Sequence, residues 1–174
     1  HYMSFSAHKL YGPKGVGFLY KRKDAPLHPL VIGGGQENNL RAGTENVPGI
    51  AGMGEAVRLA SENLTKRKKH VENLESTFIT QLNQACDKVI INGCPNHHLP
   101  GVISASFPGN RSDILLAKLE REDMEVSSGS ACGSGSIQPS AVLEAIGMPE
   151  EQNISTIRIS FGRENTEEDV IRLA

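Results

Sequence analysis

One lysine near the beginning of the chain stands among residues that could bind a phosphate-bearing cofactor. Lys9 follows Ser6 and His8 and precedes the turn Gly12-Pro13-Lys14-Gly15. A lysine that forms a Schiff base must lose its proton, and a phosphate needs hydroxyl groups and other donors close by. Ser6 and His8 could supply those donors. Taken alone, the pattern also fits a surface lysine before a turn, which is the commoner case.

A second polar segment, Arg41-Ala42-Gly43-Thr44-Glu45-Asn46, lies between a glycine cluster and a long helical pattern. Thr44 is placed to cap the first turn of that helix, where a hydroxyl and free backbone N–H groups can bind an anion. Simple capping explains the same residues, and it is the interpretation that these residues alone favour.

Residues 127–136 are Ser, Gly and Ala except for one thiol, Cys132. Ten such residues cannot fill a core, so we expect an accessible, mobile loop that presents this thiol. A reactive cysteine needs exposure and a nearby base, whereas a structural cysteine is usually buried. The alternative is a Gly/Ser linker with an incidental cysteine, and the compact α/β pattern on both sides of the segment disfavours it.

Arg158 falls inside an alternating apolar pattern that predicts a strand. An arginine there is costly unless its guanidinium finds an anion, and a bidentate pair with a carboxylate is its natural use. An arginine on the solvated face of an edge strand fits the pattern equally well.

The sequence predicts no resident metal site. The run Cys94-Pro95-Asn96-His97-His98 has too few spaced ligands for a closed zinc site, and its proline and asparagine mark a turn. Cys86, late in the helical tract, is expected to be a half-buried structural thiol.

Strand and helix patterns alternate along the chain, which predicts the α/β class. Short apolar runs predict strands at 16–20, 30–32, 89–91, 102–107 and 157–161, with a short extended piece at 125–127. Apolar spacing and capping residues predict helices at 45–85, 112–122, 139–147 and after Thr166. The first helical tract is unusually long, so we expect it to connect two domains or to break once.

Charge, apolar patterning and cysteine count argue against several classes of protein. The 174 residues carry a net charge of −2, which gives no electrostatic case for nucleic acid or a membrane surface. No apolar run approaches the roughly 20 residues of a membrane span. Three cysteines argue against a disulfide scaffold, so a reducing cytoplasm is expected. The chain begins with His1 and ends inside a predicted helix, so we expect a piece of a longer protein.

Together, these segments resemble the class V aminotransferase group of fold-type I pyridoxal-phosphate (PLP) enzymes. The matching stretches occur in the family's order and are SFSAHKLYGPKGVGFLY, LRAGTENVPGIAGMGEA, SSGSACGSGSIQPSAVLEAIG and IRISFGREN. The Ser-Ser-Gly-Ser-Ala-Cys segment is similar, more narrowly, to the NifS/IscS class of cysteine desulfurases, since the sister subgroup carries a different cysteine segment.

The resemblance implies roles for the cofactor and substrate residues. Lys9 would form the Schiff base with PLP, and Ser6 and His8 would bind the cofactor phosphate. Thr44 would bind the phosphate of the partner subunit's cofactor in a homodimer. Arg158 would hold the substrate carboxylate.

The resemblance also implies a role for the thiol. Cys132 would attack the sulfur of L-cysteine and give L-alanine and a persulfide. The persulfide would pass to an acceptor such as an iron–sulfur scaffold protein. Cys132 could also ligate such a cluster transiently, although no resident metal is implied.

In the same way, the chain is expected to divide into three parts. Residues 1–60 would belong to the PLP-binding large domain, residues 61–88 would form a connecting helix, and residues 89–174 would form the small C-terminal α/β domain. The family's aspartate for the pyridine nitrogen, its ring-stacking histidine and its Gly/Thr phosphate loop precede the lysine and lie outside this sequence. We therefore expect the chain to be the C-terminal half of the enzyme and to bind PLP poorly alone.

Two alternatives remain open. Another class V PLP enzyme, an aminotransferase or a selenocysteine lyase, would keep Lys9 and Arg158 but would need no thiol in residues 127–136. A non-catalytic module that binds a partner through the small domain and the helix would fit a chain without the upstream cofactor residues.

Overall fold

A computed structural model describes residues 1–129 and 139–174 of the chain. The chain divides into two compact units, His1–Thr65 and Lys66–Ala174. Each unit contains helices and a small antiparallel sheet. The three-part domain division expected from the resemblance stays a prediction.

The first unit is built on a two-stranded antiparallel hairpin. Its strands are β1 (Tyr2–Ser6) and β2 (Gly17–Lys21), and a 3-10 turn (Ala7–Leu10) follows β1 directly. Phe5 and Phe18 face each other across the pair and stack with their ring centroids 4.4 Å apart. A Cβ at Gly17 would lie 2.3 Å from the carbonyl oxygen of Phe5, so only glycine fits at that position. The strand predicted at 16–20 is confirmed.

The strand predicted at 30–32 is wrong. The side chains of Leu30 and Ile32 are 95% and 86% exposed, and no strand forms there. The reason is that β1 and β2 pair only with each other among the described residues, which leaves the 30–32 run without a partner ladder. A single turn, α1 (Gln36–Asn39), follows and contains left-handed backbone at Glu37 and Asn38.

The helix α2 (Val47–Glu62) begins later than the sequence suggested. Its N-cap is Asn46, whose Oδ1 accepts a hydrogen bond from the N–H of Gly49 at 3.1 Å. Thr44 lies two residues before that cap, so the prediction that Thr44 caps the helix is wrong. The physical reason is that Pro48 fits only the first turn, where it needs no hydrogen bond, and this sets the start of the helix at Val47.

The long helical tract breaks once, as expected. The helix α2 ends at Glu62, and α3 (Leu64–Ala85) begins after a single intervening residue, Asn63. The side-chain amide of Asn63 donates to the carbonyl of Leu59 at 2.9 Å and so satisfies a carbonyl at the end of α2.

The second unit contains a three-stranded antiparallel sheet in the order β3-β4-β5. The strands are β3 (Ile90–Asn92), β4 (Val102–Ser106) and β5 (Thr156–Ser160). All three were predicted to within one residue at each end. The short extended piece at 125–127 is also confirmed, because Ser127 forms a backbone bridge with Arg158 on the free side of β5.

Within residues 66–129 and 139–174, the second unit has four shorter helices. They are α4 (Ser112–Arg121), α5 (Ala141–Ala145), α6 (Glu150–Asn153) and α7 (Glu167–Leu173). The helix predicted at 139–147 is therefore shorter than expected, and Gly147 follows it with left-handed backbone. In the part of the chain that the structure describes, no helix is both long and apolar enough to cross a membrane.

The core of the second unit lies between one face of the sheet and the apolar side of α3. Alternate residues of β4 and β5 point toward it, and Phe78 of α3 meets the edge of Phe161 with ring centroids 5.6 Å apart. The fully buried members of this cluster are Leu74, Phe78, Leu82, Ile103, Ala105, Ile157, Ile159 and Val170.

We predict that Phe78→Ala lowers the free energy of unfolding by about 3–5 kcal/mol, the usual cost of emptying a buried aromatic site. Phe78 is 1% exposed, and its truncation also removes the contact with Phe161. Urea denaturation followed by circular dichroism measures the change. The control is Asn83→Ala on the exposed side of the same helix, and an equal effect of the two substitutions would contradict this account of the core.

A reciprocal capping box begins α7. The N–H of Asp169 donates to the Thr166 hydroxyl oxygen at 3.2 Å, and the N–H of Thr166 donates to the Asp169 carboxylate at 2.8 Å. The backbone N–H and then the hydroxyl of Thr166 hold the pKa of the Asp169 carboxyl below its ordinary value. The predicted N-cap at Thr166 is confirmed, and it fixes the helix that carries the buried Val170.

The lowered pKa of Asp169 predicts a pH dependence. A carboxyl whose pKa is lower in the folded state adds stability above its ordinary pKa of about 4, and this stability is lost as pH falls through the lowered value. The stability gap between the wild type and Asp169→Asn should therefore be largest near neutral pH and shrink in acid. Urea denaturation at a series of pH values measures this gap. Glu168→Gln in the same helical turn is the control, and a gap that does not change with pH would refute the assignment.

Candidate functional site

The lysine predicted to bind the cofactor lies on a backbone turn that is held from both sides. Lys9 belongs to the 3-10 turn after β1. The N–H of Ala7 donates to the carbonyl of Val16 at 3.0 Å, and the N–H of Gly12 donates to the carbonyl of Ala7 at 2.9 Å. Tyr11 ends the turn with a left-handed φ of 62°. The backbone at Lys9 is therefore closed into a short hydrogen-bonded loop.

This turn also packs closely against α2. A Cβ at Gly12 would lie 3.0 Å from the Ala7 carbonyl oxygen and 3.1 Å from the Cβ of Ala56 on α2. One turn earlier on the helix, a Cβ at Gly52 would lie 3.0 Å from the Cγ of Pro13. Small residues at both contacts let the backbones approach, so the position of Lys9 is set by α2 as well as by the hairpin.

The structure brings Ser6, His8 and Lys9 together on this one turn. Ser6 is the last residue of β1, and His8 and Lys9 follow within the 3-10 turn. All three side chains are exposed, and none of them has a hydrogen-bond or ion-pair partner among the described residues. An uncommitted ammonium, hydroxyl and imidazole on a rigid turn fit a ligand that carries an aldehyde and a phosphate.

Thr44 lies elsewhere in the first unit. It is exposed between α1 and α2, and no described hydrogen bond links it to the lysine turn. The neighbouring backbone is held by the N–H of Gly43, which donates to the Gln36 side chain at 3.2 Å. The structure therefore does not gather Thr44 with the other three predicted cofactor residues within one chain.

Arg158, the predicted carboxylate residue, lies on β5 in the second unit. Its backbone N–H donates to the carbonyl of Ser127 at 2.6 Å, and the Ser127 N–H donates to the carbonyl of Arg158 at 3.1 Å. Its side chain is half-buried, and the guanidinium has no partner among the described residues. An uncompensated, partly buried guanidinium can bind an anion.

Cys132, the predicted nucleophile, lies outside the described residues. The described chain stops at Gly129 and resumes at Pro139. On the first side, Ser127 is paired with Arg158. Gly129 lies beside the other flank, because a Cβ placed on it would be 3.7 Å from the Cβ of Ser140.

The second flank is held by Asn153, a residue that the sequence analysis missed. The Ser140 N–H donates to Asn153 Oδ1 at 2.8 Å, and Asn153 Nδ2 donates to the Ser140 carbonyl at 3.0 Å. Asn153 is 4% exposed, so this amide is a buried clamp on the backbone. Nothing in the sequence marks it, because an asparagine at the end of a short helix usually serves as a cap.

The segment with Cys94, His97 and His98 forms a turn. The N–H of His97 lies 3.3 Å from the Cys94 carbonyl, and the imidazole of His98 lies 2.6 Å from a carboxylate oxygen of Glu75. Within residues 1–129 and 139–174, no three His, Cys, Asp or Glu side chains are grouped closely enough to hold a metal ion. Cys86 is half-buried against the core of the second unit, as predicted.

Comparisons with known proteins agree with this arrangement. The profile of the family described as aminotransferase class-V matches residues 2–173. The chain is 46% identical over 168 residues to a cysteine desulfurase IscS of Dictyoglomus turgidum, an alignment that covers 97% of this chain and 43% of the relative.

Solved structures give the same result. The fold matches a NifS-like protein with a TM-score of 0.87 at 40% identity, over 99% of this chain and 43% of the other. It matches a NifS-like protein from Rickettsia africae with a TM-score of 0.87 at 30% identity, over 99% of this chain and 46% of the other. The chain thus spans less than half the length of these proteins. The α/β class and the resemblance found in the sequence are confirmed.

We predict that Asn153→Ala speeds hydrogen exchange at the Ser140 amide and lowers the free energy of unfolding by about 1–3 kcal/mol, because two backbone groups lose their buried partner. Asn153→Asp is the matched variant, since it keeps an acceptor for the Ser140 N–H but has no donor for the carbonyl. It should retain most of the amide protection. Equal exchange rates in all three proteins would show that the clamp does not hold this flank.

Proposed function

Because the chain belongs to the class-V aminotransferase family, we propose that the whole protein is a PLP-dependent cysteine desulfurase that forms L-alanine from L-cysteine and a persulfide on Cys132. The observation that carries the proposal is the lysine turn. It presents a lysine that has no partner among the described residues, close to a hydroxyl and an imidazole, on a backbone held by hydrogen bonds and close packing. The identity to relatives named cysteine desulfurase supports the choice within the family.

The family uses PLP, and the donor set on the turn fits it. Lys9 would bind the cofactor aldehyde, while the hydroxyl of Ser6 and the imidazole of His8 would bind its phosphate. Thr44, which is not gathered with them, would contribute to the cofactor site of a second subunit in a homodimer. When bound, PLP would supply the electron sink that allows loss of the proton from the α-carbon and cleavage of the carbon–sulfur bond at the β-carbon.

The chain's own residues then position the substrate and move protons. Arg158 would bind the carboxylate of L-cysteine, since a guanidinium forms bidentate hydrogen bonds with a carboxylate. Lys9 would carry a proton at Nζ between its amine and ammonium forms. Both side chains lack a competing partner among the described residues, so neither has an existing bond to give up.

The sulfur step needs a thiolate. The sulfur of Cys132 would form an S–S bond to the substrate sulfur as the carbon–sulfur bond breaks. The carbon left behind takes up a proton, which gives L-alanine and leaves the persulfide on the protein. Cys132 would then pass the sulfur to an acceptor, for which an iron–sulfur scaffold protein is the proposed partner. A reducing cytoplasm is the proposed location, since it keeps the thiol free.

We predict that Cys132→Ala in the whole protein lowers alanine production from L-cysteine by roughly a thousandfold or more, as for loss of other nucleophiles. The cofactor absorption band should remain, because Lys9 is intact. Lys9→Ala should remove both the band and the activity. The matched control is Cys94→Ala, since Cys94 is an exposed thiol in the second unit. Alanine release and trapping of labelled persulfide are the measurements.

The same experiment separates the alternatives. Turnover that survives in Cys132→Ala, with amino transfer to a 2-oxo acid, would identify an aminotransferase and refute the desulfurase proposal. Absence of any cofactor band when PLP is added to the whole protein would refute both enzymes and favour a binding module.

A further inference from the structure

Arg158 lies in a row of polar residues that crosses the sheet of the second unit. The register pairs Asn92 with Ser104, Ser104 with Arg158 and Arg158 with Ser127. Paired residues in an antiparallel sheet place their side chains on the same face. The row is therefore a continuous polar strip on the side of the sheet opposite the core.

Ser104 is the neighbour that stands closest to the arginine. Both backbone hydrogen-bonding groups of Arg158 are directed at Ser127. The pair on the other side, Ser104 with Arg158, is therefore a non-hydrogen-bonded pair, in which side chains approach more closely, with Cβ atoms roughly 4.5 Å apart. The Ser104 hydroxyl and the base of the Arg158 side chain therefore lie side by side on one face of the sheet.

The hydroxyl of Ser104 has a fixed direction. Gln152 Nε2 donates to Asn92 Oδ1 at 2.9 Å, which turns the Asn92 amide nitrogen toward the two serines. That nitrogen then donates to Ser104 Oγ at 3.2 Å and to Ser106 Oγ at 2.8 Å, so each of its two hydrogens is used. Ser104 is thus an acceptor toward Asn92.

The two serines differ in where their own protons go. Thr156 donates to the carbonyl of Gln152 at 2.7 Å, so its oxygen accepts from Ser106 at 2.7 Å. The proton of Ser106 is therefore used inside the network. The proton of Ser104 has no acceptor among the described residues. The residue paired with it, Arg158, also has no side-chain partner among the described residues.

We propose that Ser104 and Arg158 form one carboxylate-binding subsite, in which the Ser104 hydroxyl donates to the anion that the guanidinium binds. Asn92 is a positioning residue, because it uses the oxygen of Ser104 as an acceptor and so leaves the hydroxyl proton for the anion. The inference deepens the proposed function, on which it rests for the identity of the anion as the carboxylate of the amino-acid substrate.

The same donors could receive inorganic phosphate, and shape separates the two anions. A planar carboxylate can take two hydrogen bonds from a guanidinium and still accept a third in or near its plane. A tetrahedral phosphate can also take two hydrogen bonds from a guanidinium, but its remaining oxygens lie outside the plane of that pair. The subsite should therefore prefer L-alanine, which carries the carboxylate without the thiol, over inorganic phosphate.

Binding is measured without turnover on the 174-residue chain. The Arg158 side-chain N–H signal is followed by NMR during titration with L-alanine and, separately, with inorganic phosphate. Ser104→Ala should weaken L-alanine binding about tenfold, as expected for loss of one hydrogen bond to a charged group. Ser104→Thr should bind as the wild type does. Arg158→Gln should abolish binding, and Ser160→Ala, an exposed serine on the same face of β5, should leave it unchanged.

Either of two results would overturn the proposal: unchanged L-alanine binding in Ser104→Ala, or phosphate binding as tight as L-alanine binding in the wild type. If Ser104→Ala does not fold, Ser104→Thr and Ser104→Val are compared instead, since they share a shape and differ only in the hydroxyl. Loss of desulfurase activity in the whole protein would not decide this question, because the titration reports on the subsite alone.

Discussion

The alternation of residues along β4 and β5 is the constraint on which the second unit depends. A strand has a side-chain period of two, so Ile103, Ala105, Ile157 and Ile159 fall on one face, while Ser104, Ser106, Thr156 and Arg158 fall on the other. A shift of one residue in register would exchange the two faces. The same pairing that buries the core therefore also places Arg158 beside Ser104, so stability and anion recognition share one cause.

The first unit holds the backbone at Lys9 in place while leaving the side chain exposed. It does so through the backbone and small residues. Gly17 accepts the close approach of Phe5, and Gly12 accepts the close approach of Ala56. Among the described residues, these contacts hold the turn without using the ammonium of Lys9.

The sequence correctly predicted the elements whose formation depends on residues close together in the chain. The alternation of Ile157 to Ser160 and the cap at Thr166 depend on nearby residues, and both are confirmed. The strand predicted at Leu30 to Ile32 is wrong. A strand needs a partner strand, and the residues of the run do not show whether one is present. The predicted helix cap at Thr44 is wrong, because Asn46 caps the helix and Pro48 sets its first turn.

The residues of the candidate site also divide into those that are close in sequence and those that meet only in the folded chain. Lys9, Ser6 and His8 are adjacent in sequence, so their grouping could be predicted, while their roles remain predictions. Asn153 and Ser104 could not be found in this way. Asn153 acts on Ser140 through a clamp between separate segments, and Ser104 meets Arg158 only through strand register. Contacts of this kind depend on tertiary pairing, which a single sequence does not state.

The junction at Asn92 is also chemically fragile. Asn92 is the last residue of β3, and Gly93 follows it with a left-handed φ of 103°. A glycine leaves its backbone nitrogen open to attack on the preceding amide, the slow route by which an asparagine loses ammonia, and such residues are thermolabile. The carboxylate that results can only accept hydrogen bonds. Ser104 and Ser106 would then turn their protons toward residue 92, so ageing at one peptide position would reverse the direction of both hydrogen bonds between that residue and the serines.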